Sequence, residues 1–153
     1  MKIAVVMGVA NNRSIAWGIA NKLIDEGYTC VFTYPNDSIK NKITRLSPMA
    51  HTIKCDVQDP MEVRNAFIQI KQHYPTIDYV VHAMSMTNFT ELDGNMKDIS
   101  RINFLHSMEV GVYSLIDIVR HSLPMMNKGG AYPWGATEKP MAGNQGVKAI
   151  YRV

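Results

Sequence analysis

Short apolar runs rich in β-branched residues alternate along this chain with longer stretches in which apolar side chains return every third or fourth position. The first pattern suits a strand buried on both faces and the second a helix buried along one stripe, so their alternation predicts βαβ units on a parallel sheet. The runs place strands at 2–7, 29–34, 51–54 and 78–84, and helices near 14–26, 37–46 and 60–73. A fourth, longer helix is expected at about 99–126. There Phe104, Met108, Val112, Leu115, Ile116 and Val119 share an apolar face that either joins the core or meets a second copy of the chain.

The boundaries carry their own signals. Ser14 reads as the N-cap of the first helix, Asp37 as that of the second, and Asp59 before Pro60 as that of the third. Gly27 is expected to end the first helix. The regular pattern runs through residues 1–128. From Gly129-Gly130 onward, Ala131-Tyr132-Pro133-Trp134-Gly135 and Pro140-Met141-Ala142-Gly143-Asn144 are broken by glycine and proline where a fifth strand is due. The expectation is therefore a dinucleotide-binding domain over 1–128 and an irregular segment over 129–153, without a continuous fifth strand.

Composition narrows the class. A chain of 153 residues, 46% apolar and 19% charged, suits one folded domain, and no segment reaches the ~20 uninterrupted apolar residues of a membrane span. Cys30 and Cys55 lie in strand-like stretches without the close pairing of a metal knuckle or redox motif, which reads as buried thiols in a reducing cytoplasm. The net charge of +3 is dispersed; it favours anionic ligands in general and gives no nucleic-acid footprint.

The candidate chemistry begins where the first strand opens into Gly8-Val9-Ala10-Asn11-Asn12-Arg13-Ser14-Ile15-Ala16-Trp17-Gly18. A strand, a glycine turn and a helix start can hold a pyrophosphate. Gly8 would let the backbone approach it, N–H groups at the helix start would bind its oxygens, and Ser14 would add a hydroxyl. Gly18 would allow close packing of helix on sheet. An ordinary tight turn with an N-cap is the alternative. The spacing departs from GxGxxG, but the segment 7–20 resembles the cofactor loop of the NADH-dependent enoyl-acyl-carrier-protein reductases, a divergent branch of the short-chain dehydrogenase/reductases. Phe32-Thr33-Tyr34, Cys55-Asp56-Val57 and Val81-His82-Ala83-Met84 continue the likeness in order over roughly residues 2–130.

The resemblance implies a Rossmann-type doubly wound α/β sheet. It assigns Gly8, Ser14 and Ile15 to the pyrophosphate of NADH, Asp56 and Val57 to the adenine, and Met84 to the nicotinamide ribose. Asp56 has helix capping as its alternative role, which Asp59 fills better. Pro35 follows Tyr34 with no arginine beside it, which favours NADH over NADPH. His82 reads as a hydrogen-bonded core residue before a general base. The family reduces a trans-2-enoyl thioester borne by acyl carrier protein: a tyrosine hydroxyl holds the enolate oxygen, and a lysine seven positions later binds the nicotinamide ribose. Lys148 matches that lysine as a cofactor-binding and catalytic candidate, but seven positions earlier stands Met141. Tyr132 and Lys139 share the spacing across Pro133 and Gly135, a segment unsuited to a helix, so Tyr132 is a minor candidate. Set against the family, the chain would stop before the active site is complete. Its fourth strand would then sit beside an unfilled edge.

Overall fold

The computed structural model describes residues 1–86, 89–92, 95–134 and 149–152. In chain order these form β1 (Lys2–Met7), α1 (Ile15–Asp25), β2 (Tyr28–Tyr34), α2 (Asp37–Leu46), β3 (His51–Lys54), α3 (Pro60–His73), β4 (Ile77–His82), α4 (Phe89–Leu92), α5 (Arg101–Met108), α6 (Ser114–Ser122), β5 (Met126–Trp134) and β6 (Ala149–Arg152). The strand order is β3-β2-β1-β4-β5-β6, with β1 to β5 parallel and β6 antiparallel to β5. This is the parallel sheet expected from the alternation and the doubly wound arrangement that the resemblance implied, and its strand order reverses between β1 and β4.

Alternate residues of β1 serve opposite faces. Ile3, Val5 and Met7 join a core with Val63, Ala66, Phe67 and Ile70 of α3 and Ile118 of α6. Ala4 and Val6 join the other, with Ala16 and Ala20 of α1 and Ile43 of α2. Burial on both faces is why these strands read as unbroken apolar runs. Gly18 does not mediate close packing on the sheet: it is exposed, and a side chain there would meet nothing within 4 Å. The small buried residues of α1 are Ala16 and Ala20. Gly27 does end α1, with φ +81° and its N–H on the Ile24 carbonyl at 2.9 Å.

Two expectations about the later chain are corrected. The fourth helix is not one regular cylinder: α5 leads into a π turn over Glu109–Tyr113, then α6 and a 3₁₀ turn over Leu123–Met125. The continuous fifth strand judged incompatible with Gly129, Gly130 and Pro133 is present as β5, so β4 has a neighbour on that side. A bulge makes this possible. Ile77 pairs with Met126 and Tyr79 with Ala131, so the β5 chain loops out between these pairs, with Gly129 at φ +81°. Gly130 closes the loop where a side chain would lie 2.8 Å from the Asp78 carbonyl oxygen.

Asp78 ties three strands at this end. Its carboxylate accepts from the Ile3 backbone N–H at 2.8 Å and from Asn127 Nδ2 at 2.8 Å. Charged acceptors in partly buried sites contribute about 1.5–3 kcal/mol per bond. Asp78→Ala should lower the unfolding free energy by roughly 2–3 kcal/mol in urea titration, since the Ile3 N–H loses its acceptor. Asp78→Asn should recover part of that loss.

Candidate dinucleotide site

The carboxyl ends of β1 and β4 converge at the point where strand order reverses. Gly8 has φ +104°, and a Cβ there would stand 2.0 Å from the Ala83 carbonyl oxygen and 3.1 Å from Met84 Cγ. The near neighbour is backbone and cannot step aside, so the turn requires glycine. The carboxyl edge at such a switch point is where open α/β sheets bind ligands.

Ser14 precedes α1, but its side chain does not cap the helix. Its Oγ instead accepts from the backbone N–H groups of Ala10 and Asn11, both at 2.9 Å, and so holds the loop after Gly8. Among the described residues, α1 therefore starts without a side-chain cap, and its first turn carries no acid. The contrast within the chain is informative. α2 is capped by Asn36 and has Asp37 in its first turn, while α3 is capped by Asp59 and has Glu62. The cap expected from Asp37 thus falls to Asn36, whose Oδ1 accepts from the Ile39 N–H at 3.1 Å. The free N–H groups and positive dipole end of α1 suit an anion. Ile15, at the first helical position, is partly exposed there.

Asp56 follows β3 on the same edge. Asp59 caps α3 as expected, accepting from Met61 and Glu62 N–H. Asp56 is left in a turn of its own, where Oδ1 accepts from the Gln58 N–H at 3.0 Å. Glu62 fixes that turn: Oε2 accepts from the Asp56 N–H at 2.8 Å and Oε1 pairs with Lys54 at 2.5 Å. The Lys54 ammonium, followed by the Asp56 N–H, holds the Glu62 carboxyl below its ordinary range. Gln58 in turn reaches His106 of α5 through its side-chain oxygen. Val57 packs against the core. The Asp59-x-x-Glu62 spacing could have drawn attention to Glu62, although a capping box would send it to Asp59 and here it reaches Asp56.

His82, the last residue of β4, is wholly buried. Ser114 Oγ donates to the Val110 carbonyl at 2.7 Å and, having a single hydrogen, accepts from His82 Nε2, also at 2.7 Å. Among the described residues Nδ1 has no partner. Burial pushes the imidazole pKa down to about 4, partly offset by the residue's own backbone. Nothing in the sequence marked Ser114, one of four serines in the helical stretch at about 99–126.

Tyr132 is also fully buried, and its hydroxyl lies 2.8 Å from Ser122 Oγ, which donates to the Ile118 carbonyl. The phenol stands in the core between α6 and β5 and not on the carboxyl edge with Gly8 and Met84. Met141 and Lys148 lie outside the described residues. Ala149–Arg152 form the antiparallel edge strand β6, within the segment expected to be irregular. Gly8 thus lies against Met84, Ser14 holds the loop that leads from Gly8 to α1, and Asp56 and Val57 follow β3 at the carboxyl edge of the same sheet.

Comparison with known proteins identifies the scaffold. A family model described as enoyl-(acyl carrier protein) reductase matches residues 8–132. The chain belongs to this family. It is 39% identical over 129 residues to the enoyl-(acyl-carrier-protein) reductase (NADH) FabI of Enterococcus faecalis, covering 84% of this chain and 52% of that protein. It is 36% identical over 135 residues to the NADPH-designated FabI of Staphylococcus aureus, covering 85% and 53% respectively. The crystal structure of FabI from Candidatus Liberibacter asiaticus superposes with a TM-score of 0.82 at 37% identity, covering 86% of this chain and 52% of that one. An Anaplasma phagocytophilum enoyl-(acyl-carrier-protein) reductase solved with NAD gives 0.79 at 34%, covering 86% and 52%. This family member spans about half the length of the curated relatives it matches. No described helix is long and apolar enough to cross a membrane.

The His82 environment predicts a pH dependence. Its folded pKa of about 4 lies below the ordinary 6.5, so the unfolded chain takes up the proton first. The associated stability is fully present above pH 6.5 and is lost as pH falls towards 4, by roughly 3 kcal/mol in all. His51, depressed by burial and by His73, contributes with the same sign. Urea unfolding at pH 7.5 and 4.5 should therefore show a larger loss in the wild type than in His82→Gln, which lacks the titrating group.

Proposed function

We propose that these residues form the dinucleotide-binding half of an enoyl-thioester reductase of fatty acid biosynthesis. The observation that carries this reading is the uncapped, acid-free start of α1 after a turn that packs on the end of β4 and admits only glycine at position 8. Gly8, Ser14 and Ile15 would hold the pyrophosphate of NADH, with the Ile15 N–H donating to a phosphate oxygen. The Asp56 carboxylate, kept in place by Glu62, would accept from the adenine amine, with Val57 beside the ring. Met84 would border the nicotinamide ribose, where Lys148 would join it. When bound, NADH supplies the hydride for the β-carbon of a trans-2-enoyl group carried by acyl carrier protein. Pro35, directly after β2, offers no cation for the extra phosphate of NADPH, so NADH is the preferred form. A cytoplasmic location belongs to the same reading.

A second reading is a dinucleotide-binding module without turnover. It is favoured by Met141, which stands seven positions before Lys148 where the family pattern has its tyrosine hydroxyl. A homo-oligomer through the fourth helix is also part of the proposal. Ile102, Leu105, Met108, Val112 and Ile116 line an open groove of about 860 Å³, and Phe104 is exposed as well.

NADH fluorescence titration should give saturable binding, with NADPH weaker. Ser14→Ala, which releases the Ala10 and Asn11 N–H groups, should raise Kd by about tenfold. Absence of saturable binding would overturn the proposal. Addition of a crotonyl thioester then separates its two forms, because oxidation of bound NADH establishes the reductase and binding without oxidation establishes the module. For the oligomer, Met108→Glu should shift sedimentation towards the monomer.

A further inference from the structure

We infer that His82 and Ser114 are a positioning pair for the nicotinamide end of the site, fixing the π turn and, through it, the backbone at Met84. The inference rests on the dinucleotide reading above and concerns residues that reading leaves without a role.

The connection can be followed atom by atom. His82 ends β4 two residues before Met84, and its Nε2 meets Ser114 Oγ at 2.7 Å. Ser114 passes its own hydrogen to the Val110 carbonyl at 2.7 Å, within the π turn over Glu109–Tyr113. Gly111, the next residue, faces the Met84 carbonyl oxygen, which would lie 3.9 Å from a Cβ at that position. Met84 Cγ in turn would stand 3.1 Å from a Cβ on Gly8. The segment Ala83-Met84 is thus held between the glycine turn after β1 and the glycine of the π turn. The His82–Ser114 bond sets the distance between strand end and π turn.

A core filler would not need this chemistry. An apolar side chain in the same volume would avoid enclosing Nδ1 without a partner from another residue. What the imidazole adds is direction: one donor, one hydroxyl and one carbonyl define a single rotation of the helix against β4. π turns concentrate where a helix must present a particular backbone group at a functional site. Here the presented element is Gly111 against Met84.

Fluorescence and calorimetric titrations of the full chain with NADH and with 5′-AMP test the inference, because 5′-AMP has the adenine, its ribose and one phosphate but no nicotinamide end. Ser114→Ala and His82→Leu should raise the NADH Kd about 5–10-fold while leaving the 5′-AMP Kd within about twofold. His82→Gln, whose amide nitrogen can still donate to Ser114, should bind NADH within about threefold of wild type. If His82→Leu does not fold, Ser114→Ala and His82→Gln carry the test. Equal losses for NADH and 5′-AMP, unchanged NADH affinity in folded Ser114→Ala, or a His82→Gln variant as weak as Ser114→Ala would each overturn it. A wild-type chain that binds neither probe would instead remove the dinucleotide reading, and this inference with it.

Discussion

Contact between the ends of β1 and β4 is the constraint on which the rest of the site depends. Because no side chain fits at Gly8, the backbone of the first turn lies directly on Ala83 and Met84. That contact brings the loop held by Ser14, the start of α1 and the segment after β4 to the carboxyl edge of the sheet. It also fixes which chemistry is affordable there: two backbones at this distance leave donors and carbonyls, not large side chains, to line that edge. The polar neighbours are arranged around that limit. Ser14 spends its hydroxyl oxygen on the loop and leaves the helix N–H groups open, while Glu62 immobilises Asp56 from α3.

α6 repeats one device at each strand it crosses. Ser114 and Ser122 both donate to the carbonyl four residues back, and each then has an oxygen free to accept from a buried polar group, His82 on β4 and Tyr132 on β5. Each hydrogen bond contributes only about 1 kcal/mol net. Their larger effect is on register, because two directional contacts along one face leave the helix no low-energy way to rotate or slide. Just before this clamped segment, the π turn breaks the helical phase. α5 buries no residue, whereas α6 buries Ser114, Asp117, Ile118 and Ser122.

That break explains much of what could and could not be read from the residues. The bounds of β1, β3, α2 and α3 matched expectation to the residue, and for β1 and α3 an apolar run before Gly8 and the Asp59-Pro60 start signal point the same way. Spacing along the fourth helix grouped Phe104, Met108, Val112 and Ile116, but spacing reports a shared face and not what covers it. All four are exposed, and the positions nearest the sheet include a serine and an aspartate. Gly129, Gly130 and Pro133 read as breakers because a regular strand would exclude them. A bulge, which has no periodicity, is the structure that accommodates them. At the site, Gly8 was readable from its place after a strand, whereas Ser14 was placed correctly but given the wrong acceptor role. His82 was readable as a hydrogen-bonded core residue, but its partner Ser114 lies 32 positions on, and pattern alone does not pair such residues.

The two cysteines sit on opposite sides of the sheet. Cys55 belongs to the core under α3 and α6, and Cys30 to the core under α1 and α2. Burial pushes their thiols up to about 12 and about 11, respectively, so neither presents a thiolate at neutral pH while its layer is closed. Alkylation of either sulfur thus records the opening of one face independently of the other. The protein carries a native pair of chemical reporters able to show whether its two layers come apart together or in succession.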